Sequence, residues 1–251
     1  DLVLTKDGHF ICLHDIHLEP TTNIEQVFPD RKREDGNWYP ADFTLNEIKS
    51  LRVHERLPKR FPVGKSRFEV PTFEEMIELI QGLNATMHSD VGIYPELKAP
   101  AWHTKAGQPM EEAFLAILKK YGYEGPNAKV FVQCFEPEPL KKMRNTFKST
   151  LPQIMLMGSE EIYKRMLTAE GLKEVAAYAN GIGPSLDLVE KHPDIVGLAH
   201  SAGLAVHPYT VRVDQLSKNY VDVDAAYKQF YVTFGVDGLF TDFPDRAVQW
   251  L

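Results

Sequence analysis

Two short apolar runs, Leu2–Leu4 and Phe10–Leu13, flank the turn Lys6-Asp7-Gly8. Asp-Gly between β-prone segments predicts a hairpin. A period of two puts Phe10, Cys12 and His14 on one face and leaves His14 at a strand end, facing where Asp1 could face. From residue 16 to about 70 the pattern dissolves into a polar excursion rich in turn formers and charge. Arg31-Lys32-Arg33, followed at once by Glu34 and Asp35, reads there as a solvated loop. Thr44-Leu-Asn-Glu47 is a capping box that opens a short helix through Leu51. Structureless stretches this long are uncommon in compact domains and are usually functional.

Beyond the excursion, apolar strands and amphipathic helices alternate. A second capping box, Thr72-Phe-Glu-Glu75, starts a helix to about Leu83 with Phe73, Met76, Ile77 and Ile80 on one stripe. Strands are predicted at Val91 to Lys98, Lys129 to Phe135, Gln153 to Met157, Gly181 to Leu186, Ala205 to Val211 and Val236 to Asp242. Helices are predicted between and after them: Met110 to Tyr121, stopped by Gly122; Pro139 to Phe147; much of 160 to 179, starting near Ser159 and broken at Gly171; 187 to 202, broken at His192-Pro193; 222 to 234; and 245 to 251. Such alternation argues for a parallel sheet with helices outside.

The chain of 251 residues is 43% hydrophobic and 25% charged, which suits one α/β barrel or two smaller domains. A net charge of -7 argues against nonspecific nucleic-acid binding, yet local cations or a metal can still make a pocket attractive to phosphate. No apolar run approaches the roughly 20 residues that span a bilayer, so no stable membrane insertion is expected. Cys12 and Cys134 lie inside apolar strands, without zinc spacing, and read as buried thiols.

The opening block, Asp1-Leu-Val-Leu-Thr-Lys-Asp-Gly-His-Phe-Ile-Cys-Leu-His14-Asp15, resembles the core of the glycerophosphodiester phosphodiesterase family, in particular its periplasmic bacterial members. The likeness continues, in the family's order, through Asp42 to Leu51, Gly92 to Pro100, Val132 to Phe135, Gly181 to Pro184, Val206 to Arg212 and Gly238 to Asp245. The resemblance implies a (β/α)8 TIM barrel over residues 1–251. The His9 to His14 strand would be an extra hairpin arm, and residues 16–70 an insertion at the active-site mouth. The family's His-Arg-Gly strand and a glutamate two residues before Asp1 would fall upstream of this sequence. The chain is therefore expected to lack the first βα unit, either as a fragment or as part of a longer protein. In that form, low turnover and poor stability are expected.

In such barrels the chemistry sits at the C-terminal strand ends, where Asp1, Glu96, Lys98, Gln133, His207, Tyr209 and Asp242 fall beside Pro95, Pro208 and Pro244. By the resemblance, Asp1 and Glu96 are ligands of a divalent metal, calcium first and magnesium as the alternative, since hard cations take carboxylate oxygens. Lys98, on the face of Glu96, would contact phosphate or serve only as its ion pair. His14 matches the second of the family's two acid/base histidines, with Asp15 to orient it or merely to turn the chain. Gln133, Phe135, His207 and Tyr209 match substrate-side strand ends, and Asp242 could equally fix the last loop. The other histidines read as surface or core. The implied reaction is metal-dependent hydrolysis of glycerophosphodiesters, such as glycerophosphocholine or glycerophosphoethanolamine, to glycerol 3-phosphate and an alcohol, in a periplasmic or secreted enzyme. The alternatives are a non-catalytic binding protein on the same barrel and a phosphodiesterase for another lipid-derived diester. What separates enzyme from binding protein is whether His-Arg and Glu stand just upstream of Asp1.

Overall fold

The computed structural model of the chain describes residues 1–57, 59–60 and 67–251, so that residue 58 and residues 61–66 of the 16–70 excursion lie outside the described residues. Contacts group these residues into two compact units, one of Asp1–Val132 with Ser149–Leu151, the other of Gln133–Lys148 with Pro152–Leu251.

In the first unit the predicted hairpin forms. Gly8 has a φ of +81°, a left-handed conformation that glycine adopts without a Cβ clash. Asp7 accepts from the Thr5 hydroxyl at 2.6 Å and from the Leu45 amide at 2.9 Å, which fixes the turn. Strand β1 (Leu2–Leu4) pairs antiparallel with β2 (Phe10–Cys12), Leu2 opposite Cys12 and Leu4 opposite Phe10. The other edge of β1 meets residues 96–98 in parallel: the Leu2 amide donates to the Glu96 carbonyl at 2.8 Å and the Lys98 amide to the Leu2 carbonyl at 3.1 Å. The strand expected from Val91 to Lys98 is reduced to single bridges, Ile93 with Val130 and Leu97 with Leu2. Pro95 explains the interruption, since it brings no amide to the ladder.

The Arg31-Lys32-Arg33 segment is not a solvated loop, and residues 16–57 around it are structured. They carry α1 (Ile24–Val27) and α2 (Leu45–Lys49), the latter opened by the predicted Thr44 capping box. Their Leu18, Ile24, Trp38, Phe43, Ile48 and Leu51 form one hydrophobic cluster with Val3, Ile11 and Leu13 of the hairpin. The arginines are stacked into the same assembly. The Arg31 guanidinium lies 4.2 Å from the Phe43 ring centre and pairs with Glu47. Arg33 lies 4.2 Å from the Tyr39 ring centre and bonds both oxygens of Asp42, at 2.7 and 2.9 Å. A planar, weakly hydrated guanidinium can cover an aromatic face and bind a carboxylate at once, which three successive cations in a sequence do not reveal.

Helix α3 (Phe73–Met87) starts at the second predicted capping box, where the Glu75 amide donates to Thr72 Oγ1 at 3.1 Å and the Thr72 amide to Glu75 Oε2 at 2.7 Å. It runs one turn past the expected end at Leu83, since the isolated Gly82 is tolerated inside it, and ends at His88, which turns left-handed at φ 52°. Helices α4 (Pro100–Lys105) and α5 (Glu111–Lys120) complete the unit. The hairpin's second face packs here: the Phe10 ring meets Phe114 edge-on at 6.1 Å, and Phe114 stacks on Phe73 at 5.7 Å.

The sheet, which apart from Val132 belongs to the second unit, has β3 (Val132–Cys134), β4 (Gln153–Met157), β5 (Gly181–Pro184) and β6 (Ala205–Val206) side by side in sequence order. Pairing is parallel from Ile154 opposite Gly181 to Met157 opposite Pro184, then Gly181 opposite Ala205. A Cβ on Gly183 would stand 2.6 Å from Leu156 Cδ2, so a larger residue there would make the Leu156 side chain turn away. Helices follow the strands: α6 (Pro137–Asn145), α7 (Ala169–Ala176), α8 (Leu186–Lys191), α9 (Asp194–Ser201), α10 (Val223–Tyr227), continued by a π-helical stretch over Lys228–Phe234, and α11 (Pro244–Trp250).

Three expectations shift. The break expected at Gly171 falls at Thr168, whose hydroxyl caps α7 by accepting from the Gly171 amide at 3.0 Å after a 3-10 stretch over Glu161–Leu167. Ser159 is no cap, since that stretch begins after Glu160 with no side-chain bond. The last two strands shrink to β6 and the bridges Ser185 with Tyr209 and Val211 with Thr241, Pro208 again withholding an amide. The break at His192-Pro193 stands, between α8 and α9. Cys12 and Cys134 form no disulfide.

Gly92 abuts the Lys129 backbone so closely that a Cβ would lie 2.5 Å from its carbonyl oxygen. Gly92→Ala should therefore lower stability by about 1–3 kcal/mol in urea unfolding, because the atom it meets is backbone and cannot rotate away. An unchanged midpoint would show that the bridge of Ile93 with Val130 contributes little.

Candidate active site

Pairing along β1 decides what surrounds Glu96. Leu2 and Leu97 bridge, and each is 1% exposed, so the pleat turns Asp1, Glu96 and Lys98 to the opposite face. Glu96 is 5% exposed, and its Oε1 accepts from the Lys98 ammonium at 3.0 Å. Asp1 is exposed. A buried carboxylate with an ammonium beside it, next to a strand that ends in a second carboxylate, is a donor set suited to a hard cation. Among the described residues, no three His, Cys, Asp or Glu side chains converge as a metal-binding group.

His14 is placed differently from the expectation. The cross-strand partner of Asp1 is Leu13, whose amide donates to the Asp1 carbonyl at 3.0 Å. Residues opposite each other share a face, so the strand period does not bring His14 to the face of Asp1. β2 has ended and the chain bends at His14, and this bend, not the pleat, directs the imidazole. Its side chain is 51% exposed, with Nδ1 2.9 Å from Asp15 Oδ1, so Asp15 orients the ring and leaves Nε2 outward. His17, read as a surface or core residue, packs edge-on against Tyr39 at 4.7 Å with Nε2 buried and without a hydrogen-bond partner.

In the second unit, Gln133 is buried on β3, its Oε1 without a hydrogen-bond partner. Phe135, just past β3, meets Tyr209 edge-on at 5.7 Å and lies 6.4 Å from Tyr163. Tyr209 donates through its hydroxyl to the Met157 carbonyl at 3.2 Å. Phe135 and Tyr209 are thus brought together. His207 stands two residues before Tyr209, half-buried, with its amide on the Ile182 carbonyl at 2.9 Å and its ring against Gly238, where a Cβ would come within 3.0 Å of Cδ2. Burial pushes the His207 imidazole down, opposed by the charge of Asp237. Asp242 fixes the last loop, accepting from Arg212 Nε at 2.8 Å.

Tyr209 also lines a cavity of about 380 Å³ that the sequence reading missed. Asp187 and Glu190 on α8 and Tyr220 in the loop after β6 contribute to it. Its walls come from separate segments, so no spacing signals it. The only local trace is Ser185, which caps α8 by accepting from the Leu188 amide at 3.3 Å.

Residues 1–246 match the glycerophosphoryl diester phosphodiesterase family. A glycerophosphodiester phosphodiesterase of Haemophilus influenzae is 35% identical over 295 residues, covering 100% of this chain and 80% of its own length. One from Treponema pallidum is 29% identical, covering 100% of this chain and 82% of its own. Among solved structures, a Silicibacter pomeroyi protein assigned to the glycerophosphoryl diester phosphodiesterases superposes with a TM-score of 0.74 at 24% identity, over 100% of this chain and 81% of that one. The chain belongs to the glycerophosphoryl diester phosphodiesterase family, a family of phosphoric diester hydrolases. Its fold class is the (β/α)8 TIM barrel, as the family resemblance implies, and members generally depend on a divalent metal. No described helix is long and apolar enough to cross a membrane.

His103 on α4 is 1% exposed, and burial pushes its imidazole down to about 4. A histidine with a depressed folded pKa is neutral in the native state, so acidification favours the unfolded chain once pH falls below the unfolded value of about 6.5. Stability should decline from about pH 6.5 toward 4, with His207 acting in the same sense. His103→Gln should flatten that slope, read as urea unfolding free energy against pH; an identical slope would remove His103 as its source.

Proposed function

We propose that the protein hydrolyses glycerophosphodiesters, with a divalent cation held by Asp1 and Glu96 and with His14 as an acid/base. The observation that carries this is the buried Glu96 carboxylate paired with Lys98 beside the strand of Asp1, within a chain that aligns end to end with named glycerophosphodiester phosphodiesterases. The cation, when bound, supplies a Lewis acid for a phosphoryl oxygen. Calcium is the first choice and magnesium the alternative.

The chain's own residues do the rest. The Lys98 ammonium, held beside Glu96, can face a phosphoryl oxygen and offset the charge that builds in the transition state. The imidazole of His14 is held through Nδ1 by Asp15, leaving Nε2 to take a proton from the attacking hydroxyl or give one to the departing alcohol. Water oxygen replaces the alcohol oxygen on phosphorus, and the products are glycerol 3-phosphate and the alcohol. In the second unit, Phe135 and Tyr209 pair as aromatic rings, and Gln133, with its unpartnered carbonyl, and His207 are the polar groups that the family resemblance assigns to substrate.

The test is glycerol 3-phosphate release from glycerophosphocholine by the full-length protein, with calcium, with magnesium and with chelator. Release that chelator abolishes and Glu96→Gln eliminates is the expected result. His14→Ala should reduce kcat by about 10²–10⁴-fold. Release that survives chelator would rule out the metal, and no release with either metal would leave a binding protein on the same fold.

A further inference from the structure

The chain leaves Lys98 through a turn that its own residue type disfavours. Ala99, which caps α4, stands at φ 45° and ψ 50°, the left-handed conformation that brings a Cβ against the following carbonyl. Non-glycine residues persist there only where their surroundings hold them, so the turn needs an anchor on each side. On the near side the Lys98 amide bonds to the Leu2 carbonyl at 3.1 Å. On the far side Trp102, in the first turn of α4, lies flat on Tyr39 of the excursion, with ring centres 5.2 Å apart and planes 10° from parallel. Arg33 covers the pair, 4.2 Å from the Tyr39 ring centre and 5.4 Å from that of Trp102, and is itself fixed by both oxygens of Asp42. The Tyr39 ring is held in turn, by His17 edge-on at 4.7 Å and by its hydroxyl, which donates to Asp35 at 2.7 Å.

We propose that the Tyr39–Trp102 stack, with Arg33 over it, is a positioning clamp, through which the excursion holds the left-handed turn at Ala99 and thereby seats the Lys98 ammonium 3.0 Å from Glu96. Tyr39 and Trp102 are positioning residues: they act through Lys98 and not on the substrate. The inference rests on the hydrolytic reading for its catalytic consequence, while the seating of Lys98 is readable without turnover.

Two readouts on the full-length protein test it. Acetylation by an N-hydroxysuccinimide ester, followed by peptide mass spectrometry, reports how far Lys98 is held against Glu96. Lys49 is the internal control, since it is paired with Glu75 and its side chain is 24% exposed against 19% for Lys98. In Trp102→Leu and Tyr39→Leu, Lys98 labelling should rise several-fold while Lys49 labelling holds. Trp102→Phe and Tyr39→Phe, which keep a ring to stack, should stay close to the unmodified protein. On glycerophosphocholine the leucine variants should lose up to about 100-fold in kcat with KM changed less, as expected when a group that acts in the transition state is displaced. Adding Ala99→Gly to Trp102→Leu should recover about fivefold, because glycine adopts the turn without the clamp. Unchanged Lys98 labelling in both leucine variants overturns the proposal, as does an equal rise at Lys98 and Lys49, which marks a general loosening, or a loss that Ala99→Gly leaves untouched. Absence of turnover in the unmodified protein removes the hydrolytic reading and leaves the labelling to decide this one; turnover with Lys98 labelling unmoved by the leucine variants does the reverse.

Discussion

The first unit depends on β1 being paired on both edges. On one edge it makes the hairpin, and on the other it takes the segment that bears Glu96 and Lys98 in parallel. Because the Leu2 amide and carbonyl both bond to residues 96–98, that segment has no freedom to slide, and a one-residue slip would turn Glu96 from the polar face to the face of Leu97. A buried carboxylate needs that certainty. Left without its ammonium it would be an unpaired buried polar group, which is costly, so the register that fixes the strand also keeps the pair together.

Two buried glutamines stand on neighbouring strands of the second unit. Gln153 on β4 is buried and gives its amide to the carbonyls of Leu140 and Tyr178 at 3.0 and 2.6 Å, a structural bond that ties α6 and the segment after α7 to the sheet. Gln133 on the neighbouring β3 has a buried carbonyl with no partner. Gln153 Oε1 is equally without a partner, so what separates the two is that Gln153 is tied to the fold through its amide, while Gln133 stands where the family resemblance puts substrate.

What was legible in the sequence was what short-range rules control. Both capping boxes, the Asp-Gly turn, β4 to the residue and the break at His192-Pro193 follow from a few adjacent side chains. Lys98 beside Glu96 followed from a strand period that needs only two residues to hold. The same period misplaced His14, because it was carried past the last residue that obeys it. Residues 16–57 were misread for the opposite reason: their apolar side chains belong to a real core but recur at no fixed interval, and the stacking of Arg31 and Arg33 on aromatic rings is invisible until the rings are in place. The cavity beside Tyr209 is assembled from α8, the loop after β6 and the π-helical stretch, and no local pattern encodes such a meeting.

The hairpin that carries His14 is two residues thick in every sense that matters for its tolerance of change. One face, Val3, Ile11 and Leu13, is covered by the excursion, and the other, through Phe10, by α3 and α5. The excursion is therefore the missing half of a sandwich whose filling is the hairpin. Segments that look like loops usually drift freely in length and composition. This one carries core side chains, so a small residue at Phe43 or Ile48 would loosen the strand that delivers the histidine as surely as a change in the strand itself.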